Sequence, residues 1–100
     1  MLQLTEQQRQ QVINIINSMR SEPLEIYAYG SRTKDQARPY SDLDLLVKAQ
    51  QKLPIETLYK LKDAFEFSDL PFRVDIQDWY AMDDGFKANI ESSLIQIIEQ

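Results

Sequence analysis

The sequence predicts an α/β (α+β) fold, in which a small mixed β-sheet is flanked by helices. Apolar residues recur at helical spacing in some segments and at alternate positions in others, and the two kinds of segment follow each other along the chain. No repeat or linker-like stretch interrupts them, so we expect a single domain over residues 1–100. Hydrophobic residues make up 43% of the chain and charged residues 27%, a composition that can form a packed core.

The first half of the chain is predicted to contain two helices and two strands. Thr5 and Gln8 have the spacing of a capping box, and the apolar pattern after them predicts a helix from about Glu6 to Arg20. Gly30 is expected to separate a strand from a short helix, which Pro39 ends. The elements predicted after the first helix are a strand over 24–29, a short helix over 31–37 and a strand over 42–48.

The second half is predicted to contain a helix, a strand and a final helix. Pro54 opens a helix with one apolar face, and after Pro71 an alternating apolar pattern predicts a strand over 72–77. The last helix is expected to begin near Asp84 and to continue through Ile97. The apolar faces are Ile55, Leu58, Leu61 and Phe65 in the first of these helices, and Phe86, Ile90, Leu94 and Ile97 in the last. The wider apolar band of the last helix, which either packs on the core or forms a protein interface, is Leu94, Ile95, Ile97 and Ile98.

Composition limits both the chemistry and the partners. The chain has neither cysteine nor histidine, so disulfides and thiolate metal sites are excluded. A general base would be a carboxylate, a lysine, a tyrosine or metal-bound water. The net charge of −5 argues against a broad nucleic-acid surface. No stretch resembles a signal peptide or the roughly 20 apolar residues of a membrane span, so we expect a cytoplasmic protein without a membrane partner.

The Gly30-Ser31 pair is a candidate phosphate-binding turn. Glycine at the end of a strand permits a positive φ and lets the backbone approach a ligand closely. If a helix begins at Ser31, its free N–H groups would face a phosphate, and the serine hydroxyl could add a hydrogen bond. Arg32, Lys34 and Arg38 follow the turn and suit a small anionic ligand. An ordinary strand-to-helix turn with a solvated loop would explain the same residues.

Three aspartates are candidate metal ligands. Asp42 and Asp44 occupy alternate positions of a predicted strand, so they share one face of it. Asp75 lies in the next predicted strand, on the side away from the apolar row, and pairing of the two strands would bring three carboxylates together. Neighbouring like charges are unfavourable unless a cation compensates them, and Mg²⁺ prefers carboxylate oxygens. The solvent-facing side of an edge strand is the alternative. Asp78 is expected to be a strand-end or turn residue.

This pattern resembles the signature of a known superfamily. Gly30-Ser31, ten intervening residues, Asp42-x-Asp44 and a later strand aspartate are similar to the motif of DNA polymerase β nucleotidyltransferases. The short chain and the string GSR…ARPYSDLDLLV resemble the smallest members, the MNT-type minimal nucleotidyltransferases. The resemblance implies a polymerase-β-like fold. The implied nucleotide-binding residues are Gly30, Ser31 and Arg32. The implied catalytic residues and ligands of two Mg²⁺ ions are Asp42, Asp44 and Asp75, of which the last could also accept the hydroxyl proton.

The resemblance extends to a biological role. Such proteins are similar to the antitoxin half of HEPN/MNT toxin–antitoxin pairs, which implies transfer of AMP from ATP to a tyrosine of a helical HEPN toxin. A hetero-oligomer with that toxin is then expected. One alternative is a binding antitoxin that neutralises its partner by occlusion, without chemistry. Another is transfer to a small molecule or to an RNA end, of which the acidic balance makes RNA the least favoured.

Overall fold

A computed structural model describes residues 2–20, 22–34 and 36–98, which form three α-helices and one four-stranded sheet. The helices are α1 (Glu6–Met19), α2 (Ile55–Glu66) and α3 (Asp84–Ile90). The strands are β1 (Glu25–Tyr29), β2 (Leu43–Lys48), β3 (Val74–Asp78) and β4 (Ile95–Ile98). This architecture confirms the predicted class, a small mixed sheet flanked by helices. None of the helices in the described ranges is long and apolar enough to cross a membrane.

The strands lie in the order β3-β2-β1-β4. Strand β1 is antiparallel to both of its neighbours, whereas β2 and β3 are parallel and are joined by α2. A parallel pair needs such a crossover connection, which explains why a helix separates these two strands in the sequence. As a result, the C-terminal end of β1 and the N-terminal ends of β2 and β3 meet at one end of the sheet.

The two faces of the sheet are packed differently. Helices α1 and α2 cover one face, where fully buried side chains such as Ile26, Leu45 and Ile76 meet Ile16 of α1 and Leu61 of α2. The opposite face carries a smaller apolar cluster, formed by Tyr29, Leu46, Met82 and Ile90, against which α3 packs. The capping box predicted for α1 is present, since the Thr5 hydroxyl accepts from the Gln8 N–H at 3.0 Å and the Gln8 side chain accepts from the Thr5 N–H at 3.1 Å.

The prediction for the C-terminal segment is wrong. Helix α3 ends at Ile90, and Ile95–Ile98 forms β4, antiparallel to β1. The apolar residues of this segment fit a helical repeat, but they are β-branched isoleucines, which pack well in strands. They also provide a partner for the edge of β1, which would otherwise be open. The apolar band, for which packing on the core and a protein interface were the alternatives, is therefore not helical, and its three isoleucines belong to the sheet.

Three smaller predictions also need correction. The short helix predicted over 31–37 is a single 3-10 turn at Ser31–Thr33. Ile55, assigned to the apolar face of α2, is 58% exposed, because it lies in the first turn of the helix, beyond the edge of the core. The cap of α3 is Asp83, one residue before the position predicted, and its carboxylate accepts from the N–H groups of Gly85 and Phe86.

Candidate active site

The candidate site lies at the end of the sheet where β1 ends and β2 and β3 begin. Tyr29 is the cross-strand partner of Asp44, and Asp44 is in turn aligned with Asp75. The two aspartates therefore stand side by side on neighbouring strands, on the sheet face opposite α1 and α2. Asp42 lies just before β2 and is exposed. The predicted pairing of β2 with β3 is observed and aligns Asp44 with Asp75, whereas the convergence of all three carboxylates, Asp42 included, stays a prediction.

Gly30 lies directly against one of these carboxylates. Its φ is +82° and its ψ −156°, a backbone conformation that is essentially restricted to glycine. A Cβ atom at this position would overlap Oδ2 of Asp44 and would lie 3.3 Å from its Cγ. The absence of a side chain at Gly30 is thus what allows the turn to approach the acids. The predicted positive φ is confirmed.

Ser31 begins the 3-10 turn that follows. Its carbonyl accepts from the N–H groups of Lys34 and Gln36, at 3.1 and 3.2 Å. Within the described ranges its hydroxyl has no hydrogen-bond partner, so it is available to a ligand. Because the turn spans only three residues, it cannot supply the macrodipole that a longer helix would add. Phosphate binding here would therefore rely on backbone N–H groups and the hydroxyl.

The acids repel one another electrostatically. Partial burial raises the pKa of Asp44, and the negative charges of Asp75 and Asp42 raise it further. No lysine or arginine in the described part of the chain lies within ion-pair distance of these aspartates, since the one ion pair found there joins Lys87 to Asp84. The site therefore holds negative charge that no described lysine or arginine neutralises through an ion pair. A cation would reverse this cost.

The donor set fits Mg²⁺. The available oxygens are hard carboxylate oxygens, and neither histidine nor cysteine is present in the chain. Among residues 2–20, 22–34 and 36–98, no group of three or more acidic side chains is placed so that it could hold a metal ion by itself. Mg²⁺ is commonly held by one or two carboxylates together with substrate phosphates, so an open arrangement of this kind is suited to it. Asp44 and Asp75, which are aligned on neighbouring strands, would be such a pair of ligands, and the assignment of Asp42 as a third ligand stays a prediction.

Tyr29 borders the acids, and sequence reasoning assigned it no role. It is 5% exposed and packs edge-on against Phe86, with ring centroids 5.7 Å apart. Burial raises its pKa to about 12, and the charges of Asp44 and Asp75 contribute. The hydroxyl therefore remains protonated beside the acids. The signal in the sequence was the strand alternation. The side chain of residue 29 points to the sheet face opposite that of Ala28, and this is the face on which the acids lie.

Arg32 is held in a structural network. Its guanidinium donates to the carbonyls of Gln3, Pro39 and Ser41, at 2.7 to 3.0 Å, and lies 4.1 Å from the ring centroid of Phe72. The side chain is 5% exposed, and burial lowers its pKa. These contacts connect the turn after β1 to the segment that leads into β2. They also direct most of the guanidinium donors at the protein backbone, and the prediction that Arg32 binds nucleotide stays a prediction.

Asp78 is separate from the acidic site, as predicted. It is the last residue of β3 and is 3% exposed. Its carboxylate accepts from the N–H groups of Leu53 at 2.8 Å and Tyr80 at 3.0 Å. It therefore caps the turn after β3 and ties this turn to the segment that precedes α2. Trp79, next in the chain, packs on the outer face between the amines of Lys48 and Lys87.

An open groove of about 730 Å³ borders the acids on the β3 side. Asp42 and Asp75 line it together with Tyr40, Lys62 and Arg73. Its volume is within the range of about 300–1,000 Å³ that ligand sites commonly have. The site thus has a phosphate-compatible turn on one side of the acids and a groove on the other.

Comparison with known proteins agrees with this geometry. Residues 10–100 match the family described as "Polymerase beta, Nucleotidyltransferase". A protein from Haemophilus influenzae named "Probable protein adenylyltransferase MntA" is 40% identical over 75 residues, which span 75% of this chain and 66% of that relative. The chain thus matches slightly less than two thirds of the relative's length.

Solved structures share the fold. A chain of a toxin–antitoxin crystal structure with AMP-PNP matches with a TM-score of 0.76 and 20% identity, over 92% of this chain and 73% of the other. A chain of the tri-AMPylated Shewanella oneidensis HEPN toxin in complex with MNT antitoxin matches with a TM-score of 0.69 and 17% identity, over 92% and 70%. These similarities confirm the predicted polymerase-β-like architecture.

Proposed function

The chain belongs to the polymerase β nucleotidyltransferase family, and from this premise we propose that it is a Mg²⁺-dependent protein adenylyltransferase. It transfers AMP from ATP to a tyrosine hydroxyl of a HEPN-type toxin in the cytoplasm and so acts as the antitoxin of that toxin. The name of the 40% identical relative and the complexes in which the structural neighbours occur support this assignment.

One observation carries the proposal: Gly30, directly after β1, lies against Asp44 of β2, and Asp44 is aligned with Asp75 of β3. Nucleotidyl transfer requires groups that hold a triphosphate, ligands for divalent cations and a group beside the attacking oxygen. The three residues supply these in that order. An ordinary solvated acidic surface does not require a half-buried carboxylate to lie against a glycine whose backbone conformation is essentially restricted to glycine.

Each residue has a definite task in this reaction. The backbone around Gly30 and the hydroxyl of Ser31 bind the β- and γ-phosphates of ATP. Asp42, Asp44 and Asp75 would hold Mg²⁺, two ions in our proposal, which would neutralise the charge that develops on the phosphates. Asp75 orients the acceptor hydroxyl and takes its proton. The acceptor oxygen forms a bond to the α-phosphorus, the bond from this phosphorus to pyrophosphate breaks, and pyrophosphate leaves.

The test is transfer of label from α-labelled ATP to the partner toxin. The wild-type protein with Mg²⁺ should label the toxin, and Asp42→Asn and Asp44→Asn should each abolish labelling. Asp63→Asn is the matched control, because Asp63 is an exposed aspartate of α2 that does not line the groove. Labelling that persists in both site variants would reject the mechanism.

Protection of cells separates catalysis from occlusion. If the Asp42→Asn/Asp44→Asn double variant still protects cells from the toxin as well as the wild type does, binding alone accounts for the antitoxin activity. Loss of protection, with the complex still formed in a pull-down, assigns the activity to AMP transfer. The second result is expected.

A further inference from the structure

The groove on the β3 side of the acids is not lined by any of the proposed nucleotide-binding residues. It runs beside Val74, Asp75 and Ile76 of β3 and is closed on its other side by residues at the end of α2 and in the loop after it. Asp42 and Asp75 line the groove and also belong to the candidate active site, so the two adjoin at these residues. A molecule that extends from the groove along the edge of β3 past Asp75 would reach the candidate active site.

The strand order indicates which substrate enters from this side. Across the sheet, four features follow one another in space: the turn at Gly30 after β1, Asp44 on β2, Asp75 on β3 and then the groove. In phosphoryl and nucleotidyl transfer, the attacking and leaving oxygens lie roughly in line on opposite sides of the phosphorus. If pyrophosphate leaves on the Gly30 side, the attacking hydroxyl must approach from the β3 side. The groove is thus in the position of the acceptor.

The backbone of β3 favours an extended acceptor. In the described part of the chain, β3 is an edge strand that pairs only with β2. The carbonyl of Arg73 accepts from the N–H of Leu43 at 2.8 Å, so by strand alternation the N–H and C=O groups of Val74 and Ile76 point away from β2. An exposed edge of this kind is a template for strand addition, in which main-chain hydrogen bonds hold an extended peptide.

The charges of the groove favour an acidic segment. Its charged lining residues are Asp42, Lys62, Glu66, Arg73 and Asp75. Because Asp42 and Asp75 are assigned as metal ligands, Glu66 is the one acidic residue left among the described lining residues to balance the positive charges of the two basic residues, Lys62 and Arg73. Both basic residues are exposed, and neither forms an ion pair with an acidic residue of the described ranges. A peptide with acidic residues near its hydroxyl group would complement them.

We propose that this groove binds the acceptor: a protein segment in extended conformation, with acidic residues flanking its tyrosine, lies along the outer edge of β3 and presents the tyrosine hydroxyl to Asp75. Lys62 and Arg73 contact the flanking acidic residues and determine which hydroxyl is modified. This inference rests on the proposed adenylyltransferase function, which it extends by locating the protein substrate.

The first test separates the KM for the acceptor from the KM for ATP. The Lys62→Glu/Arg73→Glu double variant should raise the KM for the partner toxin about tenfold, since each exposed charge pair contributes up to about 1 kcal/mol and 1.4 kcal/mol is tenfold. The KM for ATP should be unchanged. Lys60→Glu is the control, because it reverses an exposed charge on α2 outside the groove. Thermal denaturation of each variant verifies the fold.

The second test uses the lack of cysteine in the chain. A cysteine introduced as Glu66→Cys, labelled with a benzophenone maleimide and irradiated in the complex with the toxin, should cross-link to the toxin peptide that carries the modified tyrosine. The same label at Lys60→Cys should not, because residue 60 faces away from the groove on α2. Mass spectrometry of the cross-linked peptides identifies the site.

The outcomes distinguish this inference from the function on which it rests. If the wild-type protein labels no tyrosine of the toxin, the proposed function fails. If the wild type labels the toxin but the double variant has an unchanged acceptor KM, or if Glu66→Cys cross-links elsewhere, the groove is not the acceptor site. A raised KM for ATP alone would assign the groove to the nucleotide and would also overturn the inference.

Discussion

Replacement of Gly30 by alanine tests the contact on which the candidate site depends. The residue has φ +82° and ψ −156°, a region in which a non-glycine residue costs on the order of 1–3 kcal/mol. The new Cβ would in addition overlap Oδ2 of Asp44 and lie 3.3 Å from its Cγ. Either the carboxylate rotates away or the turn moves. Both changes displace a metal ligand relative to the phosphate-binding turn.

The expected effects of Gly30→Ala are large and measurable. A displacement of about 1 Å can reduce the rate of a positioned reaction about 100-fold, so we expect a loss of AMP transfer of at least this size. The backbone strain should lower the free energy of unfolding by about 1–3 kcal/mol. For a domain of this length, each kcal/mol lowers the melting temperature by about 4–8 °C. Labelled transfer to the toxin and thermal denaturation measure the two effects.

Gly85→Ala is the matched control for this substitution. Gly85 is the second of the two glycines in the chain, lies in the first turn of α3 and has no positive φ. A Cβ there would be 3.6 and 3.8 Å from the carboxylate oxygens of Asp83, which is ordinary contact. Because alanine favours a helix over glycine by up to about 1 kcal/mol, this variant should be as stable as the wild type or more stable, with full transfer activity.

A double variant separates the two causes of the Gly30→Ala effect. In an Asp44→Ala background, Oδ2 and Cγ are removed and the remaining Cβ, at 3.6 Å, is in ordinary contact, so the loss of stability should fall to the backbone part alone. Equal losses in the two backgrounds would show that the carboxylate is not in contact with the turn. If Gly30→Ala transfers AMP at the wild-type rate, the reasoning about the site is refuted.

Three further variants probe the electrostatics and the supporting contacts. In EDTA, Asp44→Asn should be more stable than the wild type, and the difference should grow as the pH rises above about 3.9, because a carboxyl with a raised folded-state pKa loses its stabilising contribution as the pH rises through that pKa. Arg32→Lys should lower the free energy of unfolding in urea by about 1.5–3 kcal/mol, because an ammonium group cannot satisfy the same carbonyls or stack on Phe72. Asp78→Asn should cost about 1–3 kcal/mol through the N–H of Leu53, while AMP transfer is retained.

Each of these expectations has a clear contrary result. A stability difference for Asp44→Asn that is constant with pH would mean that the carboxyl has no raised pKa. Urea midpoints for Arg32→Lys equal to those of the wild type would show that its carbonyl contacts do not support the turn. Loss of transfer in a folded Asp78→Asn protein would place this residue in the active site.

The position of the candidate site in the fold was predictable because its features are local in the sequence. A glycine at the end of one strand, Asp44 in an apolar strand and Asp75 in the next strand each follow from spacing of two residues or fewer, and the pairing of β2 with β3 then aligns Asp44 with Asp75. The same locality explains why the capping box of α1 and the ends of β1 and β2 were predicted within one or two residues.

The features that were missed depend on contacts distant in the sequence. The segment Ile95–Ile98 has a pattern compatible with both helix and strand. It forms a strand because it pairs with the edge of β1, and the local spacing of apolar residues carries no information about that edge. The network around Arg32 is a second example, because its guanidinium donates to the carbonyl of Gln3, nearly thirty residues earlier, and lies over the ring of Phe72, forty residues later. Tertiary partners of this kind cannot be read from a single sequence.

The energetics of Asp44 connect the fold to the function. The carboxyl is partly buried, faces two other acids and has no cationic partner among the described residues, so in the metal-free protein its ionised form lowers stability. The fully buried inner face of the same strand, which includes Leu43 and Leu45, can offset this cost. A protein that only occluded its partner would gain nothing from such a carboxyl, and substitution by asparagine would remove its destabilising charge. Retention of the charge at this position is therefore expected only if a divalent cation binds there and the chemistry requires it.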